Sequence, residues 1–405
     1  MSAVAEPPQE APRVETTAAR EGMARAFAQG EFGALRVIIM LAVIWLIFQT
    51  QNDRFLSSTN LTNLMLQITA IGLISTGVFL VLLLGEIDLS VGAVSGLTAA
   101  IMAVLTTKHG WSPVTGIAAA LVVGAAIGTL NGLSVTVFGI PSFIVTLAGL
   151  LGWQGAQLWV LGDTGTINLP DSAITDLTGT YYSDTVGWII GAVAIAAYAL
   201  MTFIGYRRRV AAGLETQRPP LLVLRVAGAA AAIIFGVAEL NSYLGVPLAV
   251  LILVGFVAFF GFWTTRTRFG RHIFAVGGNI EAARRAGIHV NAGRVAVFAI
   301  ASTMAAAGGV MAASRGLSVS QSSGGSDVLL LAIAGPVIAG TSLYGGRGSA
   351  WSALLGALVI GSISNGMDLL ALESSVKYMI TGAVLFAAVV IDALARRQRA
   401  QAGRR

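Results

Sequence analysis

Few side chains in this sequence could carry out bond chemistry. The chain has no Cys, and its three His residues, His109, His272 and His289, fall between the apolar segments. The phosphate-binding loop of an ATPase ends in Gly-Lys-Ser/Thr, whereas neither lysine, Lys108 or Lys377, follows a glycine. Without Cys there is no thiol nucleophile and no thiolate metal site. We therefore expect no catalytic residue, no metal site and no ATP hydrolysis within this chain.

Polar groups interrupt the apolar sequence between Gly85 and Gly92, where two acids and a serine lie between glycines. An irregular backbone at membrane depth is tolerated only where it is buried or lines a cavity. A polar break of this kind suits a path for a hydroxyl-rich solute. Asp88 and Ser90 can therefore face such a path, and Asp88 can also cap a helix that begins at Leu89.

Four more side chains are candidates for the same path, namely Asn131, Ser142, Phe143 and Asn365. Ser142 and Phe143 follow a proline that marks the start of a helix, and Phe143 is either a gate ring or a packed aromatic residue. The two asparagines occur in similar stretches, residues 124–132 and 356–366. They are paired pathway candidates if these stretches form an internal repeat; otherwise each bonds a neighbouring helix.

Residues 265–294 are rich in arginine and predict a short helix outside the membrane. Asn279 is a favourable N-cap, helix-forming residues follow it, and Gly287 suits the position after the last turn. Glu281 and Arg284 can reach partner charges beside a face of alanines. Such a helix can insert into a groove on a cytoplasmic protein. The alternative is a solvated connector held near the lipid headgroups by its arginines.

The elements that position these residues are predicted to be membrane-spanning helices. Of the 405 residues, 56% are hydrophobic and 11% are charged, against about 25% charged in an ordinary soluble domain. Because one span needs about 20 apolar residues, we predict an all-α polytopic membrane protein with about 12 transmembrane helices. The segments are 34–49, 61–84, 89–107, 113–137, 142–161, 187–206, 222–243, 246–264, 295–313, 328–345, 350–368 and 375–395. A soluble enzyme, a nucleic-acid partner and a disordered chain are excluded.

Positive charges predict the orientation of these spans. With the N-terminus inside, 21 of the 25 lysines and arginines fall on the inner side and four on the outer side, as the positive-inside rule requires. Residues 1–33 are then a cytoplasmic tail, 34–395 a transmembrane domain and 396–405 a basic cytoplasmic tail. Acids lie almost entirely at span ends, so no acid-base relay for ion coupling is visible.

Glycines are frequent, with 49 in the chain. Gly124, Gly128 and Gly132 are spaced four residues apart, a pattern that lets helix backbones approach closely in lipid. We expect them to pack within one subunit, and contact with a second copy is the alternative.

Four stretches resemble the permeases of bacterial monosaccharide ABC importers, the ribose, xylose and arabinose group, in the same order along the chain. They are Gly85–Gly92, residues 131–147 with the motif Gly-Ile-Pro-Ser-Phe-Ile-Val-Thr-Leu, residues 277–288 with Gly-Gly-Asn and Glu-Ala-Ala-Arg, and Gly340–Gly348. The resemblance covers most of residues 61–395. It implies the ABC importer permease fold and places ATPase coupling on Gly277, Gly278, Asn279, Glu281, Ala282, Ala283, Arg284 and Gly287.

The resemblance also implies the partners. Two copies of the chain form one central path, two ATPase subunits that bind ATP and Mg dock on the 265–294 loops, and a periplasmic binding protein delivers the sugar. The acidic outer loop, residues 162–186, is either a docking surface for that protein or a solvated loop. The chain would lie in the bacterial inner membrane and bind no cofactor itself.

Residues 207–245 form an insert that resembles the longer, xylose-type permeases, so D-xylose is the expected substrate and ribose or another monosaccharide the nearest alternative. An ion-coupled secondary sugar transporter is the alternative from another class. A lipid or vitamin exporter of ABC type is a third interpretation.

Overall fold

The computed structural model describes residues 33–384 except 215, 217 and 218, together with residues 386, 387 and 390. The predicted tails therefore lie outside the described residues, apart from Gly33, and so does most of the end of the predicted last span.

Long helices form the first half of the chain and are joined by short turns. Local caps explain where several begin: Ser57 accepts a hydrogen bond from the Asn60 N–H, and Ser112 accepts one from Thr115 N–H, which satisfies backbone donors left free at a helix start. The helices are α1 (Gly33–Gln51), α2 (Ser58–Leu83), α3 (Val91–Thr107), α4 (Pro113–Val137) and α5 (Ser142–Leu161).

A loop with short elements leads into the second half. It contains a 3₁₀ turn (Gly162–Thr164), β1 (Thr166–Asn168), α6 (Asp176–Gly179) and β2 (Tyr181–Tyr182). The remaining elements are α7 (Asp184–Ala211), α8 (Pro219–Asn241), β3 (Val246–Pro247), α9 (Leu248–Arg266), α10 (Arg268–Gly278), α11 (Ile280–Arg285), α12 (Val290–Gly316), β4 (Ser318–Ser320), α13 (Ser326–Ile338) and α14 (Trp351–Leu369). A last helix includes residues 374–384.

The predicted all-α polytopic membrane fold is confirmed. Within the described residues, eight helices are long and apolar enough to cross a membrane, and three shorter apolar helices accompany them: α3, α13 and residues Leu35–Gln51 of α1. Each predicted span corresponds to one of these helices or, for the twelfth, to the helix that includes residues 374–384. The strands are two short antiparallel pairs, β1 with β4 and β2 with β3.

Three predicted span boundaries were wrong by five residues or more. The segment predicted to end at 206 continues as α7 to Ala211. The segment predicted at 328–345 ends as a helix at Ile338, because Gly340 adopts a φ of +99° and the Thr341 N–H bonds back to the Pro336 carbonyl at 2.8 Å. The segment predicted to begin at 295 begins at Val290, so α12 follows α11 almost directly.

Helices α2 and α12 form the centre of the molecule. Their most apolar windows are 83% and 61% buried, and α12 packs against α2, α3 and α4. The spaced glycines of α4 face α12: a Cβ at Gly128 would lie 2.2 Å from the Phe298 carbonyl oxygen and one at Gly124 2.7 Å from that of Ser302. The expected packing within one subunit is therefore confirmed for these two glycines.

Helices α7 and α8 form the periphery of the molecule. Helices α7 and α8 pack mainly against each other, and none of the most apolar window of α8 is buried. Ser58 of α2 donates a hydrogen bond to Glu239 of α8 at 2.9 Å. The predicted insert, residues 207–245, therefore includes the end of α7 and the helix α8, which is attached beside α2.

Connections gather at two opposite ends of the helices. At what we call the Gly85 end, residues 84–90 contact the segments around Ser142, Gly277 and Gly346. At the Lys108 end, Lys108 donates to Thr164 at 3.5 Å, and both strand pairs form. This grouping matches the alternation of inner and outer loops in the predicted topology, and the Gly85 end holds the loops predicted to be cytoplasmic.

Candidate coupling and translocation site

Helix α11 has the two local caps that its sequence predicts. The Asn279 side chain accepts a hydrogen bond from the Ala282 N–H at 2.9 Å. At the other end Gly287 has a φ of +78°, and the N–H groups of Gly287 and Ile288 bond to the carbonyls of Arg284 and Ala283 at 3.0 and 3.1 Å. This pair of bonds is a Schellman motif. The predicted short helix outside the spans is confirmed.

Most of α11 is exposed at the Gly85 end. Ala283 alone is buried, at 3% exposure, and packs into the main hydrophobic core, while Ala282, Arg284, Arg285 and Ala286 face outward. Glu281 and Arg284 pair with each other at 2.8 Å with both side chains at least half exposed. Exposed pairs of this kind contribute little to stability, so these charges are available to a partner.

The start of the coupling loop packs directly against the end of α2, and Gly345 links both to the polar turn. A Cβ at Gly277 would lie 1.7 Å from the Leu83 carbonyl oxygen, and that same oxygen accepts a hydrogen bond from the Gly346 N–H at 2.9 Å. Gly345, with a φ of +83°, lies against both Gly277 and Gly85. Because only glycines allow this approach, three of the four motif stretches meet backbone to backbone.

The polar turn forms a buried hydrogen-bond chain. Asp88 is 3% exposed, and its Oδ1 accepts from the Ser90 N–H at 2.8 Å and from the Ser90 Oγ at 2.6 Å. Asn131 of α4 in turn donates to Ser90 Oγ at 3.0 Å. Helix α3 begins at Val91 with Ser90 as its N-cap, so the prediction of a helix starting at Leu89 was wrong. Asp88 instead orders the turn before the helix.

The first turns of α5 complete this cluster. Ser142 Oγ accepts a hydrogen bond from the Ile87 N–H at 3.3 Å, and Thr146 Oγ1 accepts one from the Leu89 N–H at 3.0 Å. The sequence argument did not single out Thr146, although its spacing of four residues from Ser142 places both hydroxyls on one helix face. The fourth motif stretch therefore joins the other three.

Two candidate residues lie away from this cluster. Phe143 is 50% exposed, so it is not a packed core aromatic within this chain. Asn365 is buried and accepts a hydrogen bond from Asn60 Nδ2 at 2.8 Å, near the Lys108 end of α2. Asn131 and Asn365 are therefore not brought together, and Asn365 bonds a neighbouring helix.

An ion pair at the Gly85 end was also missed from the sequence. Arg294, in the first turns of α12, donates to Glu86 of the polar turn, with side chains only 16% and 12% exposed. The partners are 208 residues apart, so no local signal joins them. Among the described residues, no group of three or more His, Asp or Glu side chains could hold a metal ion.

Comparisons with known proteins find transport permeases. The family model described as "Branched-chain amino acid transport system / permease component" matches residues 60–389. The xylose transport system permease protein XylH of Escherichia coli (strain K12) is 37% identical over 368 residues, which cover 90% of this chain and 93% of that protein. XylH of Haemophilus influenzae is 35% identical, with 88% and 95% covered. The ribose import permease protein RbsC of E. coli (strain K12) is 28% identical, with 93% and 98% covered. No solved structure matches the chain.

Proposed function

This chain belongs to the permease family of branched-chain amino acid transport systems, among its sugar ABC permeases, and we propose that it is the transmembrane subunit of an ATP-driven importer of D-xylose. It is a multi-pass protein of the bacterial inner membrane. The observation that carries the proposal is the packing of Gly277, at the base of the exposed helix α11, against Leu83 at the base of the polar turn. Movement of the 265–294 loop can therefore be transmitted through this contact to the polar turn, which carries the candidate path.

The mechanism is alternating access without bond chemistry in this chain. A partner ATPase, which binds ATP and Mg, holds α11 in a surface groove. Closure of the ATPase pair moves α11 together with α10, and the contact of Gly277 in α10 with Leu83 passes this movement to the turn that leads into α3. The hydrogen-bond chain through Asp88, Ser90 and Asn131 lies where the spans must separate, so its hydroxyl and carboxylate groups can exchange their partners for sugar hydroxyls.

Further subunits complete the proposed transporter. Two copies of the chain enclose one path, with Phe143 of each copy, half exposed here, facing the partner copy or the path. A periplasmic binding protein docks at the Lys108 end, where the loop of residues 162–186 carries four acids and no basic residue. Both termini are then cytoplasmic, as the charge distribution requires.

The choice of xylose rests on two supports. The relatives named for xylose are more similar to this chain than the relative named for ribose, at 37% against 28% identity. The second support is that residues 207–245, which include the end of α7 and the helix α8, resemble the insert of the longer, xylose-type permeases. Ribose is the second candidate, because its permease covers the chain just as fully.

The proposal is tested with the purified chain, its genomically neighbouring ATPase and sugar-binding protein in lipid vesicles. We expect uptake of labelled xylose that needs ATP and stops when the ATPase partner carries an inactive catalytic glutamate. Uptake of xylose without ATP would make the chain a secondary carrier and overturn the proposal. A parallel series with ribose assigns the sugar. Faster uptake of ribose than of xylose at equal concentration would make ribose the substrate.

A further inference from the structure

The ion pair between Glu86 and Arg294 joins two segments that are remote in sequence and close to the coupling helix. Glu86 lies in the turn between α2 and α3, two residues before Asp88. Arg294 lies on α12, which begins at Val290, directly after α11 and its cap. The pair therefore ties the helix that follows the coupling loop to the turn that carries the candidate path.

The environment makes the attraction within this pair stronger than that within a surface pair. Both side chains are less than one-fifth exposed, and charges in such surroundings are screened less by water and salt than exposed ones. By comparison, the pair of Lys377 and Asp368 at the Lys108 end is 30% and 52% exposed. The second pair is thus a matched control of the same charge type.

The polar region around the pair is incompletely satisfied in this conformation. Arg294 Nε and Asp88 Oδ2 are buried and have no hydrogen-bond partner among the described residues. A buried polar atom without a partner is unfavourable, so each of these two atoms can gain a hydrogen bond if the turn moves relative to α12.

We infer that Glu86 and Arg294 are positioning residues for coupling: the pair holds the polar turn to the base of α12, so that movement of α11 reaches α3 as well as α12. This inference rests on the proposed function as an ATP-driven importer. Helix α12 is the central contact of α2, α3 and α4, so without the pair it can move while the turn stays behind. ATP would then be hydrolysed without matching transport.

The test compares Glu86→Gln, Arg294→Gln and the exchanged variant Glu86→Arg with Arg294→Glu in the complete vesicle system. We expect each single variant to assemble with the ATPase and keep its stimulation by the binding protein, while sugar moved per ATP falls about fivefold. The exchanged variant recovers most of this ratio. The control exchange, Asp368→Lys with Lys377→Asp, leaves the ratio unchanged.

Two results would overturn the inference. The first is a single variant that keeps the wild-type ratio of sugar moved to ATP hydrolysed. The second is an equal loss of uptake and ATPase activity that the exchanged variant does not rescue, because this result indicates a purely structural pair. A double-mutant cycle in thermal unfolding of the purified chain adds a measurement that needs no ATPase: without a coupling energy between the two charges, the inference fails. Failure of the proposed function is distinct, since it shows as ATP-independent uptake by the wild-type complex.

Discussion

The carbonyl oxygen of Leu83 accepts the N–H of Gly346 at 2.9 Å while Gly277 packs against the same oxygen too closely for any side chain. Leu83 is the last residue of α2 and is fully buried. One backbone group thus fixes the position of the coupling loop, the end of the most buried span and the glycine-rich loop before α14. Changes at this contact should affect stability and coupling together.

Replacing Gly277 with Ala should destabilise the chain. The new Cβ would lie 1.7 Å from Leu83 O and 2.6 Å from Gly346 N, so backbone must shift. We expect a cost of about 1–3 kcal/mol, the range for overpacked sites, measured as a lower unfolding temperature in detergent. Sugar uptake per ATP should also fall, because the displaced coupling loop no longer contacts the end of α2.

Gly255→Ala is the control for this substitution. It lies on α9 with no atom within 4 Å of a new Cβ, and alanine is favoured over glycine in a helix by about 1 kcal/mol. Its unfolding temperature should equal or exceed that of the wild type. An equal loss of stability in both variants would contradict the close contact at Gly277.

Asn279→Ala should weaken docking of the ATPase. The substitution removes the bond to the Ala282 N–H, and loss of an N-cap costs about 1 kcal/mol. Because binding of the ATPase must then also restore the helix, the affinity of the chain for the ATPase should fall about fivefold. Titration of the detergent-purified chain with its ATPase measures this affinity. Asn279→Ser keeps a capping oxygen and should bind as the wild type does; equal weakening by Ser and Ala would refute the role of the cap.

The coupling helix could be predicted from the sequence because its determinants are local. Asn279 and Ala282 are three residues apart, and Gly287 bonds to Arg284. Short-range caps of this type need no knowledge of the tertiary structure. Apolar segments were predictable for a similar reason, since a span is defined by the composition of about 20 consecutive residues.

Contacts between distant segments could not be predicted in the same way. Glu86 pairs with Arg294 and Asn60 with Asn365 across 208 and 305 residues, and helix packing alone decides which polar groups meet. The similar stretches around Asn131 and Asn365 suggested a shared site, yet Asn131 bonds Ser90 of the polar turn and Asn365 bonds α2. The end of α13, by contrast, has local determinants that the sequence argument overlooked: Gly340 has a positive φ, and the N–H groups of Gly340 and Thr341 bond to the carbonyls of Val337 and Pro336, a Schellman motif.

Ser90→Ala should destabilise the polar turn. The hydroxyl donates to Asp88 at 2.6 Å and accepts from Asn131 at 3.0 Å, so its removal takes this acceptor from Asn131 and leaves Asp88 Oδ1 with the Ser90 N–H alone. A cost of about 1–3 kcal/mol is expected for the loss of these bonds, together with slower sugar uptake. Ser134→Ala is the control, because that hydroxyl bonds only the Leu130 carbonyl of its own helix.

A further comparison separates the two roles of Ser90. If Ser90 only supports the fold, then uptake corrected for the amount of folded protein matches the wild type. If it also faces the path, the apparent KM for xylose delivered by the binding protein, or the maximal rate, changes after this correction. Unchanged stability and uptake in Ser90→Ala would contradict both the hydrogen-bond chain and its place in the path.

Asn60 and Asn365 should behave as one structural unit remote from the sugar. Each single replacement by Ala removes the 2.8 Å bond between the two amides, at a cost of about 1–3 kcal/mol; Asn60→Ala also removes the bond from Asn60 to the Phe55 carbonyl and should cost more. The double variant should cost less than the sum of the two, because the bond that the amides share is lost only once. Thermal unfolding of the four proteins measures this cycle. Apparent KM for sugar should be unchanged in all of them, and a changed KM in Asn365→Ala alone would return Asn365 to the translocation path.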